Sequence, residues 1–236
     1  MSAHRSRLTA HGFFVTGTDT GVGKTLVACA LLHALAARGL RVAGMKPVAA
    51  GADRGPAGLV NDDVERLLAA GSVAVPRTLV NPYRFVPPVA PHLAAREAGC
   101  EIELERIVGA YQYLARMADT VVVEGAGGLL VPLNAREDMA HLAQRLALPV
   151  IVVVGMRIGC LNHALLTVEA ARARGLELAG WVANHIDPAM ERAAENGEAL
   201  AARIAAPCLA RIAYVAAPDA RRIAHDLDVD ALMQKS

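Results

Sequence analysis

Two hydrophobic periods take turns along this chain of 236 residues. A short apolar run at 12–16, carrying Phe13, Phe14 and Val15, reads as a strand. Residues 24–38 are apolar and helix-compatible, and Gly39 is a natural stop for that helix. Residues 41–46 predict a second strand ending at Pro47. A loop rich in Gly and Ala then leads to Asn61, Asp62 and Asp63, where an Asn or Asp can cap a helix running to about 70. Residues 72–92 are irregular and carry Pro76, Pro82, Pro87, Pro88 and Pro91. That is too long for a simple connection, and long structured loops tend to be functional. A helix fits 103–117, and a third strand fits 120–124, closed by the glycine-rich residues 125–128. After a helix following Asp138, the unbroken Val and Ile content of 149–154 predicts a central strand buried on both faces. A helix at 161–174, a strand at 178–184, a further helix, a short strand at 208–214 and a C-terminal helical stretch complete the pattern. Such alternation predicts an α/β fold, a doubly wound and mostly parallel sheet with right-handed crossovers and helices on both faces. Residues 12–236 read as one domain behind a flexible leader at 1–11. Ligands then belong beyond the carboxyl ends of the strands.

Composition narrows the partners. The chain is 54% hydrophobic but only 3% aromatic, so its core must be Ala, Val, Leu and Ile, which suits parallel strands covered on both faces. A formal net charge of +1 argues against a nucleic-acid footprint and gives no reason to invoke an anionic membrane. The longest apolar run, 149–155, is too short to span a bilayer. Cys29, Cys100, Cys160 and Cys208 are far apart and form no metal spacing, which predicts reduced thiols in a cytoplasmic protein.

The chemistry collects at strand ends. Residues 16–25 read Thr-Gly-Thr-Asp-Thr-Gly-Val-Gly-Lys-Thr, between the first strand and the first helix. Strand, glycine loop and helix in that order form a nucleotide phosphate cradle, so the sheet is expected to be of the P-loop NTPase kind. The loop is a variant: five residues separate Gly17 from Gly23, and Thr18 holds the usual place of the first glycine. Lys24 supplies a mobile positive charge, and Thr25 a hydroxyl suited to magnesium. Lys46, held extended by Pro47, is a second lysine aimed at the same edge, able to stabilise charge on a transferring phosphoryl group or simply to lie in solvent. Glu124 ends a buried strand and can hold magnesium or cap the glycine turn. Asp63 and Asp62 can be magnesium ligands or helix caps. Arg157 and Asn162 flank the start of a helix that suits an anion, where Asn162 can alternatively be its cap. Cys160, His92 and His163 read as packing residues rather than nucleophile or base.

Six motifs in order resemble one family across nearly the whole chain, the dethiobiotin synthetases. They are the 16–25 loop, Lys46-Pro47-Val48, Asn81-Pro82-Tyr83 followed by Pro88, Pro91 and His92, the 123–128 strand end, Gly159 to His163, and Gly180 to Asn184. The resemblance implies a phosphate loop at Gly21, Val22, Gly23, Lys24, Thr25 and Leu26, and magnesium on Thr25, Asp63 and Glu124. It implies that Lys46 lies beside a carbamate, with Thr20 facing the reacting groups and Asn184 contacting adenine. It also implies Ala213 and Tyr214 as nucleotide-loop residues, and Gly159, Cys160 and Asn162 as the anchor for a substrate carboxylate reached across a homodimer interface. Ala50 stands where some members carry a serine that touches substrate, and Ile212-Ala213-Tyr214 lacks a usual proline.

The implied reaction is ATP-dependent. One amine of 7,8-diaminononanoate captures CO2, the carbamate takes the γ-phosphoryl group, and the second amine closes the ring to dethiobiotin. On this reading Lys46→Ala abolishes turnover with little effect on folding. A ParA/MinD-like regulatory ATPase is the alternative, but the membrane-bound ones need an amphipathic tail, and residues 224–230 are acidic. An amidotransferring synthetase would need a further glutaminase domain, and a non-catalytic nucleotide-binding subunit is the third rival.

Overall fold

In the computed structural model, which describes residues 12–55 and 58–233, side chains alternate between two cores on either side of one sheet. The expected leader at 1–11 lies outside the described residues. In chain order the elements begin with β1 (Gly12–Gly17), α1 (Lys24–Ala37), β2 (Val42–Met45), β3 (Val48–Ala49), β4 (Asp53–Gly55), β5 (Gly58–Val60) and α2 (Asp62–Ala70). Next come α3 (Arg77–Val80), β6 (Tyr83–Arg84), α4 (Pro91–Glu97), α5 (Leu104–Met117), β7 (Thr120–Gly128) and α6 (Met139–Leu146). The last are β8 (Val150–Met156), α7 (Cys160–Ala173), β9 (Leu178–His185), α8 (Ala193–Ala201), β10 (Cys208–Ile212), α9 (Ala220–Ile223) and α10 (Asp230–Met233).

The main sheet has the order β10-β9-β8-β1-β7-β2, and every pairing in it is parallel. Period-two alternation fills both faces. Phe14, Val121, Val123, Val150, Val152 and Val154 pack on the side covered by α5, α6 and α7. Phe13, Val15, Val122, Ile151 and Val153 pack on the side covered by α1 and α2. The unbroken apolar run of 149–154 is therefore a central strand, as its composition predicts, with β1 beside it.

Helix α1 is apolar nearly all round because the sheet, α2 and the C-terminal elements all cover it. Leu31, Leu32 and Leu35 are buried in it, each contributing roughly 1.5–3 kcal/mol of transfer free energy. Helix α6 starts from a capping box in which Asp138 accepts from the His141 N–H at 3.0 Å.

Three stretches differ from the sequence reading. Strand β7 does not close at Glu124 but runs on through the glycines to Gly128. A Cβ on Gly125 would lie 3.2 Å from the Phe14 ring, so the absence of a side chain lets this strand end pass a core aromatic. The irregular 72–92 stretch contains α3 and β6 and leads into α4, while β6 pairs with β3 and β4 forms a hairpin with β5. The strand expected at 208–214 stops at Ile212, which puts Ala213 and Tyr214 in the following loop.

Candidate active site

A cavity of about 770 Å³ opens at the carboxyl edge of the sheet, where the parallel-fold rule puts ligands. Its floor is the glycine loop. Gly23 has φ 90° and is the N-cap of α1, and a Cβ there would sit 2.3 Å from the Asn184 amide nitrogen. Only glycine fits this approach. Thr20, Gly21, Gly23, Lys24, Thr25 and Leu26 all line the cavity. Val22 does not: its side chain is buried under the loop, and only its carbonyl takes part, accepting from Asn184 Nδ2 at 2.8 Å.

Lys24 folds back on its own loop, donating to the Asp19 carbonyl at 2.8 Å. Burial, with the nearby Lys46 charge, pushes its pKa down to about 8 against the pull of Glu124, Asp63 and Asp19. The Asp19 carboxylate accepts from the Thr20 N–H at 2.7 Å and from Arg157 at 2.6 Å, so Arg157 braces the phosphate loop.

Lys46 is buried, not solvated. Its ammonium donates to Glu124 Oε1 at 2.5 Å and to Asp63 Oδ2 at 2.9 Å. Burial opposes its charge, but the two carboxylates outweigh burial and hold its pKa above the ordinary lysine value. Asp63 responds in the opposite sense. Burial raises its pKa, but Lys46, the Thr25 hydroxyl and Arg66 together hold it below the usual carboxylate range. The backbone of Lys46 is clamped as well: its N–H bonds Val80 at 2.9 Å and its carbonyl accepts from Asn81 at 2.6 Å. Pro47 alone does not fix this lysine; the buried Asn81 does much of it, a role visible only once the chain folds back. Truncating Lys46 would strand a buried carboxylate, so this geometry favours a cost to folding beside the loss of turnover.

The capping alternatives are resolved by geometry. Asn61, not Asp62 or Asp63, is the N-cap of α2, accepting from the Val64 N–H. Asp63 is therefore free of capping duty in the first turn, whereas Asp62 is exposed. Glu124 caps no turn: its Oε1 accepts from Thr25 at 2.9 Å, and its buried Oε2 has no hydrogen-bond partner. Two carboxylates, one of them with an orphaned buried oxygen, and a hydroxyl make a donor set that fits a hard divalent cation completing its shell with water and phosphate.

Asn184, Ala213 and Tyr214 line the far end of the cavity, joined by His185 and Ile186, which sequence reasoning did not select. Ala50 lies on the wall beside Pro88 and Val89. The segment expected to anchor a substrate carboxylate across a homodimer interface lies outside this cavity. Gly159 is the N-cap of α7 with φ 90°, so Asn162 is not the cap, and Asn162 is exposed outside this cavity. Within this chain the Cys160 thiol is in the core and its N–H bonds the Arg157 carbonyl at 3.0 Å, so it adds nothing to this cavity. A second cavity, of about 880 Å³, opens at the amino edge of the strands near Phe13, Pro149 and Ala179 and contains none of the selected residues.

A glycine loop between a buried parallel strand and α1, with two lysines and paired carboxylates at one sheet edge, defines a P-loop nucleotide-binding α/β domain. The family model described as an AAA domain matches residues 11–221. The ATP-dependent dethiobiotin synthetase BioD of Nitrosospira multiformis is 56% identical over 92% of this chain and 95% of its own length. That of Aromatoleum aromaticum is 55% identical over 91% and 96%, and one of Pseudomonas aeruginosa 51% over 93% and 97%. The chain belongs to the dethiobiotin synthetase family. The fold is similar to the GDP complex of the signal recognition particle 54 kDa protein of Aeropyrum pernix K1, with TM-score 0.52 and 19% identity over 98% of this chain and 50% of that one. The kinase domain of Escherichia coli tyrosine kinase ETK gives TM-score 0.50 and 13% identity over 80% and 71%.

Proposed function

We propose that this chain is an ATP-dependent ligase of biotin biosynthesis that joins 7,8-diaminononanoate and CO2 into dethiobiotin. The observation that carries this reading is the buried Lys46 ammonium, held by Glu124 and Asp63 in the same cavity as the phosphate loop. Relatives above 50% identity bear the ligase name, which favours this reading over a regulatory ATPase.

One neutral amine of the diamine attacks CO2 and loses a proton, giving a carbamate. A carbamate oxygen attacks the γ-phosphorus of ATP; ADP departs and a carbamic-phosphoric anhydride remains. The second amine attacks the carbonyl carbon and loses a proton, the bond from that carbon to the phosphate oxygen breaks, the ring closes and phosphate leaves. Lys24 releases the Asp19 carbonyl to meet the β- and γ-phosphates, and Lys46 neutralises the carbamate and the charge on the transferring group. Thr25, Asp63 and Glu124 are the residues that would hold Mg2+, which when bound supplies charge neutralisation on the phosphate oxygens. Positioning dominates, because ring closure within one molecule gains roughly 7–11 kcal/mol from orientation alone. Thr20 faces the reacting groups, and Asn184, Ala213 and Tyr214 line the end of the cavity that suits adenine.

The diamine carboxylate belongs to the α7 start of a second copy. Exposed Ile158 (82%) and Leu166 (60%) beside exposed Asn162 support a homodimer that covers this face. Among the described residues no helix is long and apolar enough to cross a membrane. Four free cysteines suit a reducing, cytoplasmic setting. The test is incubation with MgATP, the diamine and 13C-bicarbonate. Dethiobiotin carrying one label at its ureido carbon supports the proposal, and unlabelled or absent product refutes it.

A further inference from the structure

Arg66 also lines the nucleotide cavity, and neither the motifs nor the mechanism above uses it as a binding group. It follows Asp63 by three residues on α2, so the two share a helix face. The Lys46–Asp63 bond at 2.9 Å turns that face toward the cavity. The neighbouring Glu65 is taken by Arg77. Among the described residues Arg66 has no hydrogen bond or ion pair of its own, and Asp62, four residues earlier, makes none with it. Its charge reaches both Asp63 and Cys29, which is one helical turn beyond Thr25 on α1. Arg66 thus stands on the flank of the phosphate loop opposite Asn184.

The fixed charges of the cavity show what this arginine changes. Lys24 and Lys46 face Asp63 and Glu124, and those four charges cancel. Lys46 is moreover already bound by both carboxylates. The guanidinium of Arg66 makes the cavity net positive, toward a ligand carrying several negative charges. A planar fork with permanent charge suits phosphate oxygens better than a third lysine would.

We propose that Arg66 is a third phosphate-binding cation, gripping the polyphosphate of the bound nucleotide from α2. This rests on the nucleotide-binding part of the proposed function, and it assigns Arg66 to binding rather than to ring closure.

The test measures MgATP and AMP dissociation constants for the wild-type chain, Arg66→Ala, Arg66→Gln and Arg66→Lys, by competition against a fluorescent ATP analogue. Arg66 is exposed, so melting temperatures should not change. Arg66→Ala and Arg66→Gln should weaken MgATP about tenfold and AMP less than about twofold, with Arg66→Lys recovering part of the loss. A fall in the ATP-to-AMP preference of less than about threefold in both truncations overturns the proposal. Equal weakening of both nucleotides also overturns it, since that marks a deformed pocket. No diamine is present, so a failed ring-closure assay leaves this result readable, and a wild-type chain that binds no ATP refutes the proposed function itself.

Discussion

Lys46 and Glu124 are joined by a hydrogen-bonded ion pair of 2.5 Å, and Glu124 is only 1% exposed. Removing one partner of such a pair leaves an uncompensated buried charge, at a cost of about 3–5 kcal/mol. Lys46→Ala should therefore lose turnover and also stability of about that size. Lys46→Met combined with Glu124→Gln should regain most of the stability and none of the activity. Urea denaturation and diamine-dependent phosphate release, run on the same preparations, separate the two effects. Unchanged stability in Lys46→Ala would show that the pair is not closed in solution.

Thr25 donates to the same carboxylate oxygen that accepts Lys46. Thr25→Ala should raise the Mg2+ concentration needed for half-maximal activity by about tenfold, the cost of one charge-assisted ligand. Thr25→Ser should stay within about twofold of wild type, because the hydroxyl is retained. A magnesium titration of the reaction rate reads both. Equal rates and midpoints in Thr25→Ala and wild type would remove Thr25 from the proposed metal site.

Much of this site was legible because it depends on local pattern. The phosphate loop needs only a strand, glycines and a helix in sequence, and Glu124 announced itself at the end of Val121, Val122 and Val123. Central β8 was readable from an apolar run that no half-exposed strand would carry. What stayed hidden depends on contacts distant in sequence. Val48 pairs with Tyr83 in strands too short to show any period, and the β4–β5 hairpin is equally short. Asn81 belonged to the Asn81-Pro82-Tyr83 motif with no role attached, yet its amide holds the Lys46 carbonyl from 35 positions away. Nothing local marks Arg66, which reaches the cavity wall only because α2 docks beside α1.

Asn162 is exposed at the first turn of α7, away from the cavity of its own chain. If a second copy brings that turn to the diamine carboxylate, Asn162→Ala should raise KM for the diamine about tenfold and leave KM for ATP within about twofold. Steady-state kinetics with each substrate varied in turn decide it. Parallel shifts in both constants would make Asn162 a structural residue.

Asp138 caps α6 and lies 3.2 Å from Arg174. Burial raises its pKa, but hydrogen bonds from His141 and the Arg174 charge win and hold it below the usual carboxylate range. A carboxyl with a depressed folded pKa contributes its full stabilisation above its unfolded value, about 3.9, and loses it as pH falls through the folded value. Asp138→Ala should cost about 1 kcal/mol at neutral pH through the lost cap and charge. The gap between wild type and Asp138→Ala should narrow as pH drops below about 4, because the carboxylate is being protonated. Melting curves across that range check the sign, and a gap that widens in acid would contradict it.

In the proposed reaction the γ-phosphoryl group activates a carbamate. The most direct measurement follows ADP and dethiobiotin together, with and without 7,8-diaminononanoate and bicarbonate. Slow hydrolysis with ATP alone, stimulation only when both co-substrates are present, and one ADP per dethiobiotin are the expected results. Hydrolysis at the same rate without diamine, or ADP release with no ring-closed product, would contradict it.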